Sequence, residues 1–423
     1  MPASAWKIKL SLFLNYFVFA ILLNSVGTVI LQVQRTFGVS ASAASILEAC
    51  KDLSIAAASF LLASSVARFG YRRAMLAALG LIALMGVAMP SMSTFAMTKV
   101  LFAVTGVCFA LIKVSVFATI GLVTKDRREH ASFMSFLESF FMIGILSGYF
   151  LFSAFVDDTA PPGDTGWFKV YYLLAAVAGA AFLLLLTTPF DETAARSAPD
   201  ASLLSEFGAM VKLAFLPLVL VFVVSVFIYV MTEQGIMSWL PTYNNQILHL
   251  PATLSIEMAS ILAASTALGR FVAGWVLRRL PWFPVLAACL VAAAALVLVA
   301  VPLGQAVDAK PATGWGDAPL AAFIFPLIGL FLAPIYPVIN SAILSALPPA
   351  RHAAMSGLIV VFSALGGTVG SLVTGNVFEA VGGRTAFTLS LIPIGAMIAT
   401  LFLFDRLQRA HNAAGGASSA AVS

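Results

Sequence analysis

Apolar runs of roughly twenty residues recur along this chain from Leu10 to Leu403, each ended by a short stretch carrying charges, proline or glycine. A helix rises ~1.5 Å per residue, so about 20 residues cross a ~30 Å hydrocarbon core. Cutting the runs at their interruptions predicts twelve spans. The first six cover 10–33, 43–66, 74–92, 100–123, 131–155 and 170–186; the second six cover 213–240, 254–277, 285–303, 320–347, 353–378 and 387–404. The longest polar stretch, 191–212, separates them. The expected organisation is an all-α integral membrane protein with a first six-helix half (1–190), a linker (191–212), a second six-helix half (213–405) and a polar tail (406–423).

Composition agrees with that pattern. Charged residues make up 10% of the chain and hydrophobic residues 61%, too few charges to cover a water-facing surface. The formal net charge of +5 sits in short loops and forms no patch for nucleic acid; it reads as a topology signal. With the N-terminus in the cytoplasm, one side collects fifteen lysines and arginines: Lys7, Lys9, Arg68, Arg72, Arg73, Lys125, Arg127, Arg128, Arg196, Lys212, Arg278, Arg279, Arg351, Arg406 and Arg409. The other keeps five: Arg35, Lys99, Lys169, Lys310 and Arg384. Both termini are therefore expected in the cytoplasm of a cell membrane, a bacterial inner membrane in particular. The first run ends without a small-residue cleavage pattern and is expected to be retained as a span. Cys50, Cys108 and Cys289 lie in apolar runs with no CxxC spacing, so neither a disulfide framework nor a metal site is expected.

An internal repeat joins the halves. Ala63 stands five positions before Arg68, and Gly274 five before Arg279; REHASFMS precedes span five and RHAAMS precedes span eleven. The offsets, about 211 and 221 residues, argue for a parallel six-span repeat. The loop after span two resembles the signature of the major facilitator superfamily, with Arg68, Gly70, Arg72 and Arg73 in place but Ala63 and Ala67 where the family has glycine and aspartate. Gly269, Arg270 and Gly274 are similar to the second-half signature. FIYVMTEQGIMSWLPTY in span seven and LAPIYPVINSAIL in span ten resemble the fucose:proton symporter family and its relatives. The resemblance implies a monomeric alternating-access carrier, with Arg270 near the cytoplasmic gate, that takes up a small polar solute with protons and needs no cofactor.

The chemistry should reside in ionisable groups placed inside spans: Glu48, Lys51 and Asp52 in the second, Lys113 in the fourth, Glu138 in the fifth and Glu233 in the seventh. At roughly 3 kcal/mol each, six facing lipid would cost ~18 kcal/mol, more than a typical protein's whole stability. They must face each other or a wet cavity. Helix rise places Lys113 about 21 Å and Glu138 about 22 Å below the outer ends of their spans, a shared level. Glu138, Asp52 and Glu48 are the candidate proton-coupling acids. Glu48 and Lys51, at i and i+3, also fit mutual neutralisation, and Lys113 with Glu138 also fits a structural pair.

Candidate substrate contacts are Lys113, Lys51, Asn24, Glu233, Gln234, Tyr243, Asn244, Tyr336 and Asn340. In span seven, Pro241 is expected to break the helix near the outer gate, with Trp239 offering either a stacking face or an interface anchor. Rival functions are a proton-driven exporter, an intramembrane enzyme and a non-transporting receptor. The exporter's glycine-proline motif is missing, since GILSGYF has Tyr149 where proline is expected, and the four histidines lie in loops or the tail, where no intramembrane catalytic set forms. The solute expected is a sugar, an organic acid or a zwitterion.

Overall fold

A computed structural model describes residues 3–124, 127–188, 192, 203–304, 312–348 and 351–420. Lys125, Arg196, Lys310, half of the 191–212 link (191 and 193–202) and the side chain of Arg68 lie outside the described residues. The described residues form helices and turns, without a strand. Eleven helices among them are long and apolar enough to cross a membrane. Span two, Ile46–Phe69, is equally long but holds Glu48, Lys51 and Asp52 near its start. All three charges are buried, and the helix takes the place of the twelfth expected span.

Local breaks follow the chemistry of the chain. Span one divides at Ser25 into Ala3–Asn24 and Val26–Phe37. Span ten is broken into Leu320–Ile324, a short 3-10 turn Phe325–Leu327, Ile328–Leu332 and Ile335–Ala346. Pro326 and Pro334 lack the N–H that an uninterrupted helix needs. Span seven, Pro217–Gln246, behaves otherwise: the helix runs through Pro241, contrary to the expected break. Proline costs the bond to the Met237 carbonyl, and there span one closes in. A side chain at Gly27 would stand 3.0 Å from that carbonyl oxygen and 2.9 Å from that of Ser238, so backbone packs on the weakened turn and holds it.

The signature loop also has a visible physical basis. Gly70 ends span two and begins span three (Tyr71–Ser91) with φ +102°, a conformation that side chains resist. The turn sets Arg72 beside the end of span six (Val170–Leu186). There Nε donates to the Leu185 carbonyl at 3.3 Å and Nη2 to the Leu186 carbonyl at 2.8 Å, satisfying carbonyls that a helix end leaves open. Arg73 is exposed.

Contacts between the halves are polarised. Among the described residues, every hydrogen bond from one half to the other lies toward the end opposite the termini. Ser42 N–H donates to Glu379, Ser45 and Ser371 meet at 3.5 Å, and the Gln246 amide donates to Gln34. Ser153 donates to Glu257, and Asp158 caps the first turn of span eight (Ala252–Val276). Span seven lies along span eleven (His352–Val381) through Gly370, where a Cβ would collide with the Met231 carbonyl. Toward the termini no hydrogen bond joins the halves among the described residues, and a cavity lies between the halves.

Candidate functional site

Two polar centres emerge from the charges inside the spans. The first is a closed triad on span two. Lys51 Nζ lies 2.5 Å from Glu48 and 3.4 Å from Asp52, and donates to the Leu23 carbonyl of span one at 3.4 Å. All three residues are buried. Glu48 also accepts a 2.8 Å hydrogen bond from Ser238 of span seven, and Asp52 stands against Gly367 of span eleven, where any side chain would strike its carboxylate. The triad thus sits on the seam between the halves. Lys51, expected to touch solute, is instead fully engaged by its two neighbours.

The second centre is a cavity of about 180 Å³ between the halves. Asn24, Phe141, Met142 and Ile145 line it from the first half; Glu233, Gln234, Met237, Leu262, Thr266 and Arg270 line it from the second. Glu138 is one turn before Met142 on the same helix face, exposed, and within electrostatic reach of both Lys113 and Arg270. Lys113 is exposed as well and lies 5.9 Å from the Phe109 ring, which neighbours Phe141 of the cavity wall at 6.3 Å. Among the described residues, no ion pair within 4.0 Å engages Lys113, Arg270, Glu138 or Glu233. Glu233 accepts a 2.7 Å hydrogen bond from Tyr229, whose ring stacks on Tyr336 at 5.8 Å.

The expected contact residues divide accordingly. Asn24, Glu233 and Gln234 are on the cavity wall. Tyr336, bonded to Ser363, stands behind Glu233 and Arg270, and Asn340 lies one turn further along span ten with its amide oxygen unpaired. Tyr243 and Asn244 are elsewhere. Tyr243 is buried between the rings of Phe325 and Phe387, and Asn244 donates to the Ser255 carbonyl, both near the sealed end of the second half. Trp239 is no interface anchor and no stacking wall: it is fully buried, and its indole N–H donates to Ser371 of span eleven.

Arg270, expected at the gate with the signature, points its charge into the cavity. Sequence reasoning also passed over Tyr229, although its position four residues before Glu233 places both on one helix face. Tyr229 is legible through helical spacing once Glu233 is taken as the reference, whereas Arg270 lies on another helix.

The model of the Major Facilitator Superfamily matches residues 12–315. No curated protein matches the sequence significantly. Among solved structures, a bacterial homolog of the human lysosomal transporter Spinster, inward-facing and occupied, superposes with a TM-score of 0.74 at 14% identity, covering 94% of this chain and 96% of that one. The nucleoside transporter NupG gives 0.66 at 17%, covering 96% and 98%. The E. coli fucose:proton symporter FucP, as a single-residue variant, gives 0.61 at 18%, covering 96% and 99%.

Proposed function

Since the chain belongs to the major facilitator superfamily, and so is a multi-pass membrane transporter and not an enzyme, we propose that it takes up a small polar organic solute together with protons by alternating access. In this reading both termini are cytoplasmic, the membrane is a bacterial inner membrane, and the working unit is a monomer. The end opposite the termini, where the halves are hydrogen-bonded, is then the outer gate in its closed state, and the cavity faces the cytoplasm.

One observation carries the proposal. Glu138 stands one turn before the cavity-lining Met142, within electrostatic reach of a cation from each half, Lys113 and Arg270, and among the described residues is held by neither within 4.0 Å. A carboxylate so placed is stabilised by charges that an incoming solute can occupy. Solute that engages Lys113 or Arg270 weakens their hold on Glu138, which then takes up a proton. Proton and solute binding become linked, and linkage is the thermodynamic content of symport. Asp52 and Glu48 serve the gate in this scheme, because their partners Lys51, Ser238 and Gly367 span the seam.

Glu138→Gln in proteoliposomes tests the proposal. The amide imitates the protonated acid, so the variant should lose accumulation driven by a pH gradient and keep exchange of solute down its own gradient. Accumulation at the unaltered level would place coupling elsewhere, with Asp52 next in order.

A further inference from the structure

The cavity between the halves has two charged residues on its own wall, Glu233 of span seven and Arg270 of span eight. They lie within electrostatic reach of each other, yet no ion pair within 4.0 Å joins them among the described residues. Glu233 accepts from the Tyr229 hydroxyl through one carboxylate oxygen at 2.7 Å, and its other oxygen has no hydrogen-bond partner among the described residues. Arg270 is exposed and has none either. Lys51, by contrast, closes on two carboxylates at 2.5 and 3.4 Å. We infer that the solute is a free α-amino acid with an apolar side chain, its carboxylate on Arg270 and its ammonium on Glu233. The inference rests on the reading that this cavity holds the transported solute.

The lining is divided in the way such a solute needs. Thr266 and Arg270, at i and i+4, share one face of span eight, and the Thr266 hydroxyl has no partner among the described residues. The acceptors come from other helices. Asn24 of span one spends its amide nitrogen on the Ala20 carbonyl at 2.8 Å, which leaves its oxygen to accept, and Glu233 supplies the second acceptor from span seven. A carboxylate only accepts hydrogen bonds and an ammonium only donates them, so each finds its own side of the cavity. Span five supplies an apolar third side through Phe141, Met142 and Ile145. Carboxylate, ammonium and side chain are the three substituents of one α-carbon. At about 180 Å³ the cavity is smaller than the ~300–1,000 Å³ typical of drug-sized ligands, as so small a molecule requires.

Charge sets the other classes behind this one. A monocarboxylate answers Arg270 alone and brings a second negative charge beside Glu233; an amine answers Glu233 alone and brings a second positive charge beside Arg270. Either leaves a charge uncompensated within the membrane, which is costly. A neutral polyol meets both residues without the charge-assisted hydrogen bonds that each can make. A quaternary ammonium has no N–H for Asn24 and Glu233 and calls for a cage of rings, of which the lining supplies only Phe141.

The test compares an amino acid with the two molecules that each lack one of its charges: L-leucine with 4-methylpentanoate and 3-methylbutylamine, L-valine with 3-methylbutanoate and 2-methylpropylamine, and L-phenylalanine with 3-phenylpropanoate and 2-phenylethylamine. Thermal unfolding of the purified full-length protein in detergent is followed near neutral pH at constant ionic strength. At least one amino acid should raise the midpoint, by about 1–2 °C at tenfold over its Kd, while neither of its analogues does. Arg270→Met should abolish that shift. Glu233→Gln should remove most of it and admit the matching acid instead, because the repelling charge is gone. No shift with any amino acid overturns the inference. So does an equal shift with the paired acid or amine, a comparison that needs no variant, or an amino-acid shift that survives both substitutions. Detergent solution holds no proton gradient, so these outcomes are independent of coupling. A stabilising amino acid that accumulates in proteoliposomes without a pH gradient would sink the symport reading alone.

Discussion

Lys51→Met is the sharpest probe of how this chain tolerates charge inside the membrane. Methionine keeps the aliphatic stem and deletes an ammonium that lies 2.5 Å from Glu48 and 3.4 Å from Asp52. Two buried carboxylates then face one another with only Ser238 left to donate to Glu48. Removing one partner of a buried pair costs about 3–5 kcal/mol. With ~2.1 cal/mol/K of unfolding entropy per residue, 423 residues give roughly 0.9 kcal/mol/K, so the melting midpoint should fall by about 3–6 °C. The double variant Lys51→Met with Glu48→Gln removes one stranded charge and should recover at least half of the loss. Thermal unfolding of the four members of the cycle reads the coupling directly. A Lys51→Met midpoint within 1 °C of the parent, or losses that simply add in the double variant, would refute the idea that the triad is held by its charges.

Two further outcomes follow from the gate and the orientation. Asp158→Ala removes the carboxylate that accepts from the Ala252 N–H at 2.7 Å and from Thr253; a lost cap costs roughly 0.5–2 kcal/mol. Labelling of a cysteine at Ala263, on the cavity wall, should become about 2- to 30-fold faster from outside, and an unchanged rate would remove this contact from the outer gate. A cysteine at Asp157 should react with an impermeant maleimide in intact cells, whereas one at Arg406 should react only after lysis. The reverse pattern would invert the topology.

The fold was largely legible because each span needs one property, sustained apolarity, that a sequence states openly. Span two carries Glu48, Lys51 and Asp52, the residues that the sequence marked as chemically informative, and all three are buried. The site was legible only in part. Helical spacing places residues on a common face, but it does not say which neighbouring helix that face meets. Lys51 and Lys113 are both lysines in apolar runs, yet one has two carboxylates on its own helix within 3.4 Å and the other has none within 4.0 Å among the described residues. Tyr243 and Asn244 share a helix with Glu233 and Gln234, yet they sit about 15 Å further along it, at ~1.5 Å per residue, beyond the cavity.

The two polar centres also differ in what they permit, and the difference follows from where each meets the other half. The triad spends its charges on itself and presents carboxylates across the seam to Ser238 and Gly367, so in the proposed cycle these contacts belong to the state in which the halves meet. The charges at the cavity are left without an ion pair: Arg270 and Glu233 line it, Glu138 stands within electrostatic reach of Arg270 and Lys113, and none is paired within 4.0 Å among the described residues. A carrier needs both arrangements, because a site that satisfies its own charges has no free energy left to offer a solute, and a gate that leaves them unsatisfied has none with which to close.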